Sequence, residues 1–179
     1  MPILHTKRIT ALIAYLDATY SHLARRAVIY LWLLVGVVVF GHYFYLSVNL
    51  THSLPGTVFL IEKGVHPKKG ELAAFVYGGG GPYPRGSFFL KIVTGTPGDI
   101  VSIKNEGYGY HDFFVNSKFV GRAKPVSLSG KPLTKGPAGV LPPGSYYMAA
   151  PNPDSLDSRY NWVGWVRDSQ IIGRGIRIF

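Results

Sequence analysis

Hydrophobic and polar positions divide the chain into two textures. From Ala27 to Val48 (AVIYLWLLVGVVVFGHYFYLSV) the sequence is apolar on every face, and no formal charge occurs between Arg26 and Glu62. At about 1.5 Å per residue, this run spans the roughly 30 Å hydrocarbon core of a bilayer with some tilt. A buried core helix would show a polar stripe, and none is present. Trp32, Tyr43 and Tyr45 lie toward the ends of the run, where interfacial aromatics are enriched. A cleaved signal peptide would have a shorter apolar region followed by a small-x-small site, whereas Asn49-Leu50-Thr51-His52 follows here. The expectation is an uncleaved membrane helix over residues 27–48. Thr10–Leu23 upstream carries enough apolar residues for a short helix at the membrane surface.

Beyond Val48 the pattern changes to short runs rich in β-branched and aromatic residues, bounded by Gly and Pro. Thr57–Ile61, Leu72–Tyr77, Phe88–Val93, Asp99–Ile103 and Ser145–Ala149 read as strands, and Ile171–Phe179 alternates like a half-buried one. No amphipathic helix stands out. Between Lys104 and Pro143 the apolar runs shorten, with strand signals only at Phe113–Val115 and Phe119–Val120, so residues 104–143 read as an insert or long hairpin. The expected fold is mainly β: one N-terminal transmembrane helix, then a coiled or barrel-like sheet domain over residues 49–179.

Charge orients this picture. Lys7, Arg8, Arg25 and Arg26 against Asp17 give the N-terminal flank 4 − 1 = +3, so the positive-inside rule puts residues 1–26 in the cytoplasm and 49–179 outside it. The whole chain carries +10. Residues 49–179 hold 15 basic and 8 acidic residues, scattered without a basic helix stripe, which argues for a solvated basic face and against nucleic-acid binding. With no cysteine there is no disulfide, thiolate metal site or cysteine nucleophile. Gly78–Gly81 is not a phosphate loop, because no Gly-Lys-Ser/Thr follows.

Three segments carry candidate chemistry: Thr51-His-Ser53-Leu-Pro55-Gly56, Lys91-Ile-Val-Thr-Gly95-Thr-Pro97-Gly98-Asp99, and Ser155-Leu-Asp157-Ser158-Arg159. Each has an ordinary reading as well. Ser53 is a turn residue before a strand, Gly95–Asp99 a turn between two strands, and Asp157 and Arg159 a local ion pair. Lys91 is either a solvated strand lysine or, among aliphatic neighbours, a desolvated one whose lowered pKa frees a neutral amine.

In their joint order and spacing the three segments resemble the membrane-bound signal peptidase I family of serine–lysine endopeptidases. The motifs and anchor together cover about a third of the chain. Within that family the short length, single anchor and Ser-Leu-Pro-Gly most resemble the TraF peptidases of conjugative plasmid transfer. Leu54 stands where housekeeping signal peptidases carry Met, and Pro55 comes two residues after Ser53 rather than three. The resemblance implies Ser53 as nucleophile, Lys91 as general base, Ser155 as the hydroxyl that orients the amine, and the Ser53 N–H with Thr51 Oγ1 as oxyanion donors. Asp157 and Arg159 would be structural supports. It further implies a pilin precursor as substrate, other conjugative-transfer components as partners, a bacterial inner-membrane location with a periplasmic catalytic domain, and no cofactor. Hydrolysis and cyclising transpeptidation share the same acyl-enzyme and are not distinguished.

Histidine is the competing base. His52 adjoins Ser53, but neighbours on an extended chain point to opposite sides. His5, His22 and His42 lie within or before the anchor, and His66 and His111 lack paired ligand spacing, which disfavours a Ser-His-Asp triad or a zinc site. Two other readings remain: a general type I signal peptidase acting on exported preproteins, and an inert anchored subunit of a secretion or pilus assembly.

Overall fold

The computed structural model describes residues 2–49, 51 and 53–179. Helix α1 runs unbroken from Pro2 to Tyr43 and absorbs the separate surface helix expected over Thr10–Leu23. By length and composition it suffices to cross a membrane. Its large apolar side chains from Val28 to Phe40 are exposed within this unit, as a lipid-facing helix requires. The helix stops five residues short of the expected end. Phe44–Val48 is instead strand β1, paired antiparallel with β2 (Val58–Lys63) from Phe44↔Glu62 to Val48↔Val58. Unbroken hydrophobicity concealed this boundary, because an apolar strand continuing an apolar helix leaves no mark in composition.

Residues 43–179 form the second unit. It comprises β3 (Leu72–Val76), β4 (Phe88–Gly95), β5 (Ile100–Gly107), β6 (Tyr110–Val115), β7 (Lys118–Ala123), β8 (Gly139–Val140), β9 (Ser145–Ala149), β10 (Val166–Arg167) and β11 (Ile171–Arg177). A seven-stranded sheet has the order β1-β2-β11-β3-β4-β9-β10, and a four-stranded sheet the order β7-β6-β5-β8. All pairings are antiparallel. Segment 104–143 thus supplies most of the smaller sheet. The last strand, β11, inserts between β2 and β3, where Arg174 pairs with Glu62 and Ala73.

Both faces of the larger sheet are covered. Phe59, Ile61 and Ala74 pack with Leu54 in one cluster, while Ala73, Phe75, Val93 and Met148 form another. Strand β3 supplies both clusters, which is why Leu-Ala-Ala-Phe-Val reads as a continuous apolar run. A third cluster, with Val101, Phe113, Val115, Leu141 and Tyr147, joins the smaller sheet to β9.

The hinge between the sheets is the Gly95-Thr-Pro-Gly-Asp99 segment. Pro97 and Gly98 occupy the central positions of a turn closed by Asp99 N–H to the Thr96 carbonyl at 3.0 Å, and Gly98 has φ +90°, the left-handed value a type II turn needs. Gly95 permits close packing: a Cβ there would lie 2.8 Å from Leu141 and 2.9 Å from Tyr147. The Asp99 carboxylate accepts from Lys69 Nζ (2.7 Å), Thr96 N (2.8 Å), Thr96 Oγ1 (3.1 Å) and Asn116 Nδ2 (2.6 Å). Partial burial pushes its pKa up, and these donors outweigh that and hold it at about 2.

Because the folded pKa lies below the ordinary Asp value of 3.8, the stability from Asp99 is present above about pH 4 and lost as pH falls through about 2. Asp99→Asn should lower unfolding free energy at pH 7 by about 1–2 kcal/mol. In urea titrations of the protein in micelles, the gap to wild type should close between pH 4 and pH 2.

Candidate active site

The loop from Asn49 to Thr57 joins β1 to β2 and carries Ser53. Its shape follows from Asn49, whose short amide can bond to nearby backbone and mimic a turn. Asn49 N–H donates to the Thr57 carbonyl at 2.8 Å, closing the base of the loop. Its Nδ2 donates to the carbonyls of Leu54 (2.9 Å) and Gly56 (3.2 Å), and its Oδ1 accepts from Thr51 N and Oγ1, each at 3.4 Å. Leu54, buried with Phe59 and Ile61, plugs the loop into the core. Ser53 is thereby held almost out of solvent, at 6% exposure. In the sequence Asn49 counts only against a cleavage site, although an Asn four residues before the candidate serine was a usable signal for a shaped loop.

Lys91 projects from β4, opposite Ala73 of β3, and is 5% exposed. Its Nζ donates to Ser53 Oγ at 2.9 Å. The same separation serves the reverse bond, hydroxyl to amine, once the amine loses its proton. Burial pushes the Lys91 pKa down to about 8; the Asp157 charge raises it and the Arg159 charge lowers it. The Phe89 ring lies 5.6 Å from Nζ and supplies an apolar wall beside it. Thr51 Oγ1 also donates to Ser53 Oγ, at 3.3 Å, so two of the expected residues converge on one hydroxyl.

The third segment follows β9 and is built around a buried ion pair. Arg159 Nε and Nη2 bond the two oxygens of Asp157 at 2.8 Å each, with Asp157 wholly buried and Arg159 1% exposed. Asp157 also accepts from Ala150 N at 3.0 Å and Arg159 N at 3.2 Å. Arg159 in turn reaches the carbonyls of Asn152, Ser155 and Arg122. The pair therefore cross-links the loop to β9 and to the end of β7, and with every charge paired the burial is tolerated. Ser155 is 5% exposed and lines the same cavity as Ser53 and Lys91. The expected bond from Ser155 to the amine is not made: among the described residues its Oγ has no hydrogen-bond partner.

These groups open on a cavity of about 570 Å³ whose walls include Tyr45, Phe59, Ile61 and Leu90. Of the competing histidines, His52 lies outside the described residues. His66 pairs with Asp168 at 3.4 Å, His111 sits on β6, and neither lines the cavity. A hydroxyl, an amine of lowered pKa and a second hydroxyl beside an apolar cleft can attack and hold an acyl group.

No curated protein matches the chain. The profile of a family described as signal peptidase, peptidase S26, matches residues 20–179, from within α1 to the last residue. That match takes in all three motif segments and both sheets, and the chain belongs to this family of serine peptidases, whose substrates are exported preproteins.

Proposed function

We propose that this protein is a membrane-anchored endopeptidase in which Ser53 and Lys91 act as a dyad to mature a pilin precursor for conjugative transfer. The observation that carries the dyad is the 2.9 Å contact between Lys91 Nζ and Ser53 Oγ in a buried, largely apolar setting. The neutral amine takes the Ser53 proton as Oγ attacks the scissile carbonyl. Negative charge on the former carbonyl oxygen is met by the Ser53 N–H and the Thr51 hydroxyl. The Lys91 ammonium then returns its proton to the leaving amine, and an ester remains on Ser53. Water releases it by hydrolysis, and the amine at the chain's other end releases it as a cyclic product. Ser155, buried beside the dyad, is the hydroxyl that takes up the ammonium as it forms. Leu54, Pro55 and the small second sheet support the conjugative assignment over a housekeeping one. Processing of a prepilin against an exported preprotein by the purified protein decides between the two.

The +3 flank supports an inner-membrane protein with residues 1–26 in the cytoplasm, α1 as the anchor, and the sheet domain in the periplasm. A reporter fused after Phe179 should then behave as periplasmic and one fused before Lys7 as cytoplasmic. The reverse pattern overturns this topology.

Ser53→Ala and Lys91→Ala should each abolish processing, and the double variant should be little worse, because the pair acts as a unit. With the Lys91 pKa near 8, kcat/KM should rise through about pH 8 and level off. Lys91→Arg should be inactive, since guanidinium keeps its proton in this range. Full activity in Lys91→Ala would instead identify another base.

A buried amine also costs stability. The folded pKa of about 8 lies below the ordinary Lys value of 10.5, so the penalty is complete below pH 8 and is relieved as pH rises toward 10.5. Lys91→Met should therefore stabilise the protein at pH 7 by up to about 3 kcal/mol. That advantage should shrink between pH 8 and pH 10.5 in denaturant titrations.

A further inference from the structure

The cavity that holds Ser53 and Lys91 is not walled by the larger sheet alone. Leu128, from the connection between β7 and β8, also lines it while remaining 85% exposed. The connection is an ordered hairpin. Leu133 N donates to the Pro125 carbonyl at 2.8 Å, Ser127 N to the Lys131 carbonyl at 2.9 Å, and Val126 bridges Pro132. Ser127 Oγ accepts from Lys131 N at 3.1 Å and lies 3.0 Å from Ser129 Oγ, so polar side chains shape the tip. Among them Leu128 is the one large apolar side chain, left largely exposed at the cavity. The hairpin base is fixed at the cavity edge by the Lys124–Asp154 ion pair, and Asp154 itself lines the cavity. Three more exposed apolar residues line the same space, Phe88 at 70%, Val48 at 56% and Tyr83 at 39%.

A single exposed leucine needs no explanation. Four exposed apolar side chains lining one cleft, one of them carried there by a braced hairpin, mark a contact surface. Asp154, the acidic residue in the cavity lining, is paired with Lys124, and the exposed residues beside it are apolar, so the selection offered is mainly apolar. Continuity with the Ser53 cavity identifies the occupant as the peptide segment flanking the scissile bond.

We propose that the 125–133 hairpin is a specificity rim, with Leu128 covering one large apolar side chain of the bound peptide. The proposal rests on the peptidase reading for its occupant, but its test does not require turnover. The full-length Ser53→Ala protein in micelles, which binds without cleaving, is titrated with fluorescein-labelled Ala/Ser peptides in which a single leucine is stepped along the sequence. One step should tighten Kd about tenfold, the gain expected for partial burial of one leucine pair. Adding Leu128→Ser should cut that gain at least threefold while leaving the melting temperature and the Kd of the leucine-free peptide unchanged. Leu128→Met should retain the gain.

If no step tightens binding, or the gain survives Leu128→Ser with less than a threefold loss, the rim is overturned whatever the wild-type enzyme cleaves. If the gain depends on Leu128 but the wild-type protein cleaves nothing, the rim stands and the dyad reading fails.

Discussion

Withdrawing a lysine amine from water is costly, and the architecture around Ser53 is organised so that this cost is borne at one place. Lys91 sits in a strand whose neighbours on both sides, β3 and β9, belong to the same sheet, so its backbone cannot shift outward to rehydrate the side chain. Desolvation favours the neutral amine, and a neutral amine is the form that can accept a hydroxyl proton. Structure, energetics and chemistry meet in that one displaced pKa.

The Asp157–Arg159 pair is a second condition for it. A bare buried carboxylate near Lys91 would draw the amine back to its charged form. Arg159 opposes that charge directly and holds both carboxylate oxygens. The two residues therefore brace the loop carrying Ser155 while limiting the field that Asp157 exerts on the amine. Asn49 plays the corresponding part around Ser53, lacing backbone carbonyls on one side of it and Thr51 on the other. The hydroxyl and the amine are thus delivered by two elements, each locally over-determined.

What the sequence disclosed and what it hid divide along physical lines. Ser53, Lys91 and the third segment stood out only jointly, through the resemblance of their order and spacing to a known family; taken singly, each has an ordinary turn, strand or ion-pair reading. β9 was legible from its paired tyrosines and the Pro-Pro-Gly and Pro that bound it, and it falls where expected over Ser145–Ala149. The end of α1 was not, because Phe44–Val48 is equally apolar as helix or strand and only pairing with β2 decides it. β8 and β10, at two residues each, are too short for any periodicity to register. Leu128 was hidden for a different reason: a lone leucine in a Gly/Ser/Lys stretch acquires meaning only when the fold sets it beside the cavity. The missing Ser155–amine bond is a matter of side-chain placement that no motif encodes.

The central claim concerns a single ionisation, and it can be read directly. Lysine labelled with ¹³C at Cε in the full-length protein gives one methylene resonance per lysine, and the Lys91 signal is assigned by its loss in Lys91→Met. Its chemical shift should titrate near pH 8, well below the value of about 10.4 for a free lysine, as burial against Phe89 and Ser53 requires. A titration near 10.5 would mean that the amine is solvated and charged at neutral pH, and that Lys91 is not the base.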